Sequence, residues 1–216
     1  MPLGGERPAD AAEWLHIDTH VLDARGGHDL LKSIVLPRPI AWITTLRPNG
    51  VTNLAPYSCY AIVAFRPMLV VVGFEHSLGP KQKKDTLRNI ERTRELVIHT
   101  VTEDLLERMN STARSAPDGE SKLVAAGLTP FPCEQVAPPR IAECPLAMEC
   151  RAVDIRPLGE GHDLVVAEVL VVHARTDIVK DGRIDAVLLR PVGRLGDDDY
   201  LLLHDVVTLP RPEPRG

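Results

Sequence analysis

The sequence predicts a mainly β protein: a closed or partly closed antiparallel barrel in a single domain, with a few interposed helices. Three observations point there. Runs of apolar, β-branched and aromatic residues recur at 40–46, 68–74, 96–101, 146–155, 164–173 and 200–203. Turn chemistry joins such runs at Pro48-Asn49-Gly50, where Asn-Gly accepts positive φ cheaply, and at Gly159-Glu160-Gly161-His162-Asp163. Finally, the strands do not alternate with helices in a βαβ rhythm, and no Gly-x-Gly-x-x-Gly is present.

Taken in order, residues 1–13 read as a loose arm. Residues 37–58 form a hairpin in which Ile40, Trp42, Ile43 and Leu46 are strand-type residues, and the chain resumes at Val51 after the turn. Asp85 suits the N-cap of a helix over 86–94 with Leu87 and Ile90 on one face. Thr102 suits the cap of a helix over 103–110, where Leu105, Leu106 and Met109 supply the apolar stripe. A short helix over 120–126 ends at Gly127. The five prolines between Thr129 and Pro145 predict an extended surface connection. The run 164–173 is dense in β-branched residues, as a central strand requires. Residues 209–216 form a Pro/Arg tail with little to bury.

Composition bounds the function. A length of 216 residues fits one domain spanning the chain, large enough to fold without staples. A net charge of -5 argues against a nucleic-acid binder, and 4% aromatics argues against base-stacking platforms. Cys59, Cys133, Cys144 and Cys150 contain no Cys-x-x-Cys pair, so zinc or dithiol chemistry is not expected, and reduced thiols in the cytoplasm are. The apolar stretch 61–74 is interrupted by Arg66-Pro67 and is too short to span a bilayer, so no membrane partner is expected.

Uncharged hydroxyl and amide groups gather at the hairpin ends. Successive strand residues point to opposite faces, so Thr44 and Thr45 cannot both face the core, and one is available to a ligand or solvent. Asn53 can donate and accept, which suits the O2–N3–O4 edge of a flavin, and Ser58 adds a hydroxyl. Lys84-Asp85-Thr86 opens a helix whose first-turn N–H groups attract phosphate, although a capped surface helix has the same appearance. Together the two segments suggest a site for a flavin mononucleotide. Other combinations carry less. His16 and His20 lack a third ligand, and no serine sits in a Gly-x-Ser-x-Gly elbow. No catalytic side chain and no metal ligand is assigned.

The chain resembles the flavin reductase-like, FMN-binding split-barrel flavoproteins, in the branch often described as flavoprotein oxygenases. The matching residues are Arg38-Pro39-Ile40-Ala41-Trp42-Ile43-Thr44-Thr45, then Gly50 with Asn53-Leu54-Ala55-Pro56-Tyr57-Ser58. They continue with Lys84-Asp85-Thr86-Leu87-Arg88-Asn89-Ile90, Ala126-Gly127-Leu128-Thr129, Glu149-Cys150 and Arg194-Leu195-Gly196. The resemblance implies an antiparallel split barrel and a homodimer with FMN near the interface. It implies that Thr44 and Thr45 line the flavin, and that Asn53, Ala55, Pro56 and Ser58 meet its isoalloxazine and ribityl parts. It places Lys84, Asp85 and Thr86 near the phosphate, with Asn89 one helical turn behind. Two positions depart from the pattern: His99 stands where relatives commonly show Asn, and Asp197 where a second Gly is usual.

The implied chemistry is hydride transfer from NADH or NADPH to flavin N5, with the protein supplying position and electrostatics. The product could serve a partner oxygenase, a substrate bound beside the flavin, or oxygen. A non-catalytic FMN-binding electron carrier and an FMN-dependent enzyme with its own organic substrate remain the alternatives.

Overall fold

The computed structural model describes residues 14–76, 82–117, 119–210 and 212. In chain order the strands are β1 (Arg38–Pro39), β2 (Ala41–Leu46), β3 (Thr52–Tyr57), β4 (Tyr60–Phe65), β5 (Met68–Glu75), β6 (Glu95–Thr100) and β7 (Pro130–Phe131). They continue as β8 (Arg140–Ile141), β9 (Leu146–Pro157), β10 (His162–Ala174), β11 (Val179–Lys180), β12 (Arg183–Ile184), β13 (Gly193–Arg194) and β14 (Tyr200–Leu201). The helices are α1 (Ala24–Ile34), α2 (Asp85–Thr93), α3 (Leu106–Ser111), α4 (Lys122–Ala125) and α5 (Ala186–Leu189).

Seven strands form one antiparallel sheet in the order β3-β2-β6-β9-β10-β5-β4. Its two outermost strands, β3 and β4, are consecutive in the chain, and among the described residues no ladder joins them. The sheet is therefore a barrel left open along one seam. The Asn49-Gly50 turn forms as expected, with Gly50 at φ 78° and β2 paired to β3 from Leu46–Thr52 to Ala41–Tyr57. The turn between β9 and β10 likewise places Gly159 and Gly161 at positive φ. No helix among the described residues is long and apolar enough to cross a membrane.

Strand β2 separates two cores. Ala41 and Ile43 point into the barrel, among Val72, Phe74, Leu96, Ile98 and Val165, and α2 inserts Leu87 and Ile90 into the same cluster. Burying side chains of that size stabilises by roughly 1.5–3 kcal/mol each, which fixes α2 across the barrel end. Trp42 points the other way and packs with Leu54, Leu105, Met109, Leu123 and Ile141. Its indole Nε1 donates to Thr112 Oγ1 at 2.9 Å.

Several expectations are corrected. The start of α2 is not capped by Asp85. Lys84 occupies the N-cap position without a side-chain cap bond, and the Asp85 carboxylate turns to Arg47 instead. The 103–110 helix begins as a 3-10 turn at Glu103–Leu105, because the Thr102 hydroxyl donates to Asp104 Oδ1 rather than capping the backbone. Helix α1 was not foreseen; Gly26-Gly27 obscures its pattern, while Asp23 caps it by accepting from Gly26 N at 2.7 Å. Strand β4 was also missed, since Ile62, Val63 and Phe65 are exposed and its pattern does not alternate cleanly.

The proline-rich segment 129–145 is extended and exposed over about half its length, as expected, but it is also anchored into the core. Val136 and Ile141 are buried, and the barrel wall supplies polar partners for the segment's backbone. Glu149 accepts from the amides of Glu134 and Gln135 at 2.8 and 2.6 Å, Glu95 accepts from Ala137 N, and Thr44 Oγ1 donates to Pro139 O. His99 completes the set: its Nε2 accepts from Ile141 N at 2.9 Å, and its Nδ1 meets Trp42 O at 2.8 Å. That pair of contacts fixes the tautomer with the proton on Nδ1. Burial pushes the His99 pKa down to about 4. This departure from the family pattern therefore builds the wall rather than the site.

Candidate functional site

One cavity of about 650 Å³ lies where β3, the start of α2, the 113–116 turn with Lys122, and the β13–β14 pair converge. It takes in seven of the ten residues singled out from sequence: Asn53, Ala55, Pro56, Ser58, Lys84, Asp85 and Thr86. Thr44, Thr45 and Asn89 are not among its lining residues.

Those three stand behind the wall. Thr44 and Thr45 are both 0% exposed, so the expectation that one of them faces ligand or solvent fails. The reason is that β2 is covered on both faces. Thr44 binds the proline-rich segment on one side, while Thr45 Oγ1 accepts from Asn89 Nδ2 at 2.9 Å on the other. On the neighbouring strand, Asn53, which pairs with Thr45 across the β2–β3 ladder, donates from Nδ2 to Thr86 Oγ1 at 2.7 Å. These two buried bonds lock α2 against β2 and β3 and set Asn53 and Thr86 at the cavity surface. Beside them Tyr57 is buried against Phe74, its hydroxyl pKa raised by desolvation, and Lys84 Nζ sits 5.9 Å from its ring centroid.

The charge of the cavity opposes that of the chain. Eight cations line it (Lys32, Arg38, Lys83, Lys84, Arg88, Arg114, Lys122 and Arg194) against two carboxylates, Asp85 and Asp197. Several have fixed roles. Arg38 donates to the carbonyls of Lys32, Val35 and Leu195 and, at 3.3 Å, to Ser58 Oγ, tying α1 to the cavity rim. Arg194 stacks 4.4 Å over Tyr200 and donates to Asp197 O. Asp197 itself has φ 41°, the left-handed conformation, which accounts for glycine being usual there.

Two residues that sequence reasoning missed organise the far wall. Arg47, 5% exposed, reaches Asp85 Oδ2 at 3.0 Å and donates to the carbonyls of Pro117 and Glu120. Lys122, 7% exposed, donates from Nζ to Thr112 O at 2.9 Å and Arg114 O at 3.2 Å. Burial lowers its pKa to about 8. No local pattern marks either residue: Arg47 precedes a turn, and Lys122 reads as an ordinary first-turn lysine.

The α2 start offers the amides of Asp85, Thr86 and Leu87, since the first helical bond runs from Arg88 N to Lys84 O. Uncapped N–H groups, a positive lining and a row of amide and hydroxyl groups along β3 suit an anionic ligand with a polar planar part.

The comparisons with known proteins bear on this site. The chain is similar to nitrilotriacetate monooxygenase component B from Bacillus cereus, with 33% identity and a TM-score of 0.87 over 92% of this chain and 100% of that one. It is similar to the 2-nitrobenzoate 2-nitroreductase of Pseudomonas fluorescens, with 30% identity and a TM-score of 0.83 over 92% and 96% of the two chains. A structure from Shewanella frigidimarina described as having a split barrel domain shares the fold, with a TM-score of 0.79 at 23% identity over 92% of this chain and all of that one. The family model described as flavin reductase like domain matches residues 33–189, well over half of the sequence. The chain, a split barrel, belongs to the flavin reductase-like family.

Proposed function

We propose that the chain is an FMN-binding oxidoreductase that uses NADH or NADPH, with FMN held in the cavity between β3 and the start of α2. One observation carries this reading: the uncapped first turn of α2 and the buried Lys122 ammonium share a cavity with the polar edge of β3. Phosphate fits the first two features, and an isoalloxazine and ribityl chain fit the third. When bound, FMN supplies hydride acceptance at N5 from a reduced nicotinamide.

The residues divide the work. Lys84, Thr86 and the α2 amides hold the phosphate, with Asp85 keeping Arg47 and Arg88 in place beside it. Asn53, Ala55, Pro56 and Ser58 flank the ring and ribityl chain. Thr45 and Asn89 act from behind, by fixing α2, and Thr44 fixes the opposite face of β2. The open seam and exposed β4 edge favour a homodimer that covers them. The similarity to a monooxygenase component B favours supply of reduced flavin to a partner oxygenase. The four free thiols favour the cytoplasm.

The test begins with the visible spectrum before and after FMN addition and desalting, followed by stopped-flow mixing with each nicotinamide. Retained absorption that bleaches with NADH or NADPH supports the reading. Retained flavin that neither bleaches identifies an electron carrier, and protein that never retains FMN removes the proposal. The similarity to a nitroreductase favours a second reading, an enzyme reducing its own organic substrate. Nicotinamide oxidation that rises with a nitroaromatic acid but not with free flavin would select it.

A further inference from the structure

Lys122 presents a buried charge that no carboxylate among the described residues contacts, Asp85 and Glu120 acting on it only from a distance. The residue is one of those lining the cavity and is 7% exposed, and its ammonium spends two hydrogens on the neutral carbonyls of Thr112 and Arg114. Among the described residues no carboxylate pairs with it. The charged groups around it are engaged elsewhere. Asp85 of α2 pairs with Arg47 and Arg88, and Glu120 pairs with Arg114 on the turn preceding α4. Lys84 and Arg88 of α2 add only positive charge to the same cavity. Burying an unpaired ammonium is costly, and a protein avoids the cost by losing the proton.

We propose that the counter-charge to Lys122 is the ligand's phosphate, so that phosphate binding is coupled to uptake of a proton by this side chain. The proposal rests on the FMN reading and adds a pH linkage to it. Before binding, burial holds the Lys122 pKa at about 8; Asp85 and Glu120 raise it from a distance, and Arg47 and Arg114 lower it. A dianion beside Nζ restores the charged form, since an opposite charge at contact favours it. The phosphate is already dianionic well above its second pKa of about 6, so any proton gained at higher pH goes to the protein.

Isothermal titration of the whole chain with FMN, in buffers of different ionisation enthalpy, reads the proton directly. At pH 8.5 the wild type should take up roughly 0.7 proton per FMN, falling below about 0.2 at pH 7. Riboflavin, which lacks the phosphate, should bind without uptake. Lys122→Arg keeps the charge without titrating, so it should bind FMN with no uptake at pH 8.5. Lys122→Met should lose affinity about tenfold or more, and a melting curve of each variant establishes that it is folded. Equal uptake by wild type and Lys122→Arg, equal uptake with riboflavin, or no uptake by the wild type overturns the proposal while leaving FMN binding intact. Absence of FMN binding by the wild type overturns the FMN reading, and this one with it.

Discussion

Arg47 Nη2 lies 3.0 Å from Asp85 Oδ2, and the same guanidinium donates from Nη1 to the carbonyls of Pro117 and Glu120. A single buried side chain at the end of β2 thus joins both walls of the cavity, the α2 start and the turn that leads to Lys122. The planar fork makes this possible, because donors in fixed directions meet three acceptors at once.

Arg47→Met should therefore destabilise the fold by about 1.5–3 kcal/mol, the range for a lost hydrogen bond to a charged group, and weaken FMN binding as the walls part. Arg47→Lys should restore little, since a single ammonium cannot serve both walls. Urea unfolding alongside a flavin fluorescence titration measures both effects.

Lys84 and Thr86 should separate. Lys84 is exposed and makes no cap bond, so Lys84→Ala should lower FMN affinity without lowering the melting temperature. Thr86→Ala removes the acceptor of Asn53 Nδ2, so it should lower both. At roughly 1.5–3 kcal/mol each, either loss corresponds to tens of fold in affinity. Unchanged affinity in the double variant would place the phosphate elsewhere.

His99 predicts a pH dependence of stability with a defined sign. Its folded pKa, about 4, lies below the unfolded value of about 6.5, so the stability it confers is complete above pH 6.5 and lost as pH falls toward 4. The total is roughly 3 kcal/mol at about 1.4 kcal/mol per pH unit. Equilibrium unfolding between pH 7.5 and 4 should show this loss in the wild type, and His99→Asn should flatten that part of the curve.

Thr112→Val should leave the Trp42 indole N–H without its acceptor in a site that is 0% exposed. The expected cost is about 1–3 kcal/mol. Melting temperature reads it, and loss of the Thr112 anchor should also loosen the turn that Lys122 grips.

The long strands other than β4, with their turns, were legible because their causes are local. Asn49-Gly50 sets its own φ, and the β-branched run of β10 is apolar enough to be read as a central strand. One wall of the cavity was legible for another reason: polar residues from Asn53 to Ser58 and from Lys84 to Thr86 are more than a core requires. What sequence could not show is which neighbour each polar group meets across the fold. Thr44 and Thr45 looked ligand-facing because nothing local reveals that β2 has a second core behind it. Asp85 looked like a cap because its partner, Arg47, is 38 positions away. Lys122 carries no pattern at all, since its importance lies in burial, and burial is a property of the assembled chain.

The proline-rich segment joins the barrel through side chains rather than through a long backbone ladder. Glu95, His99 and Glu149, on two neighbouring strands, serve as its acceptors. The register of the segment is thereby written in the strands and not in its own residues. A backbone amide is the same whatever side chain it bears, so the segment can diversify freely at exposed positions while its path stays constant. His99 has no such freedom: exchanging it for an apolar residue would strand the buried amide of Ile141, 42 positions distant.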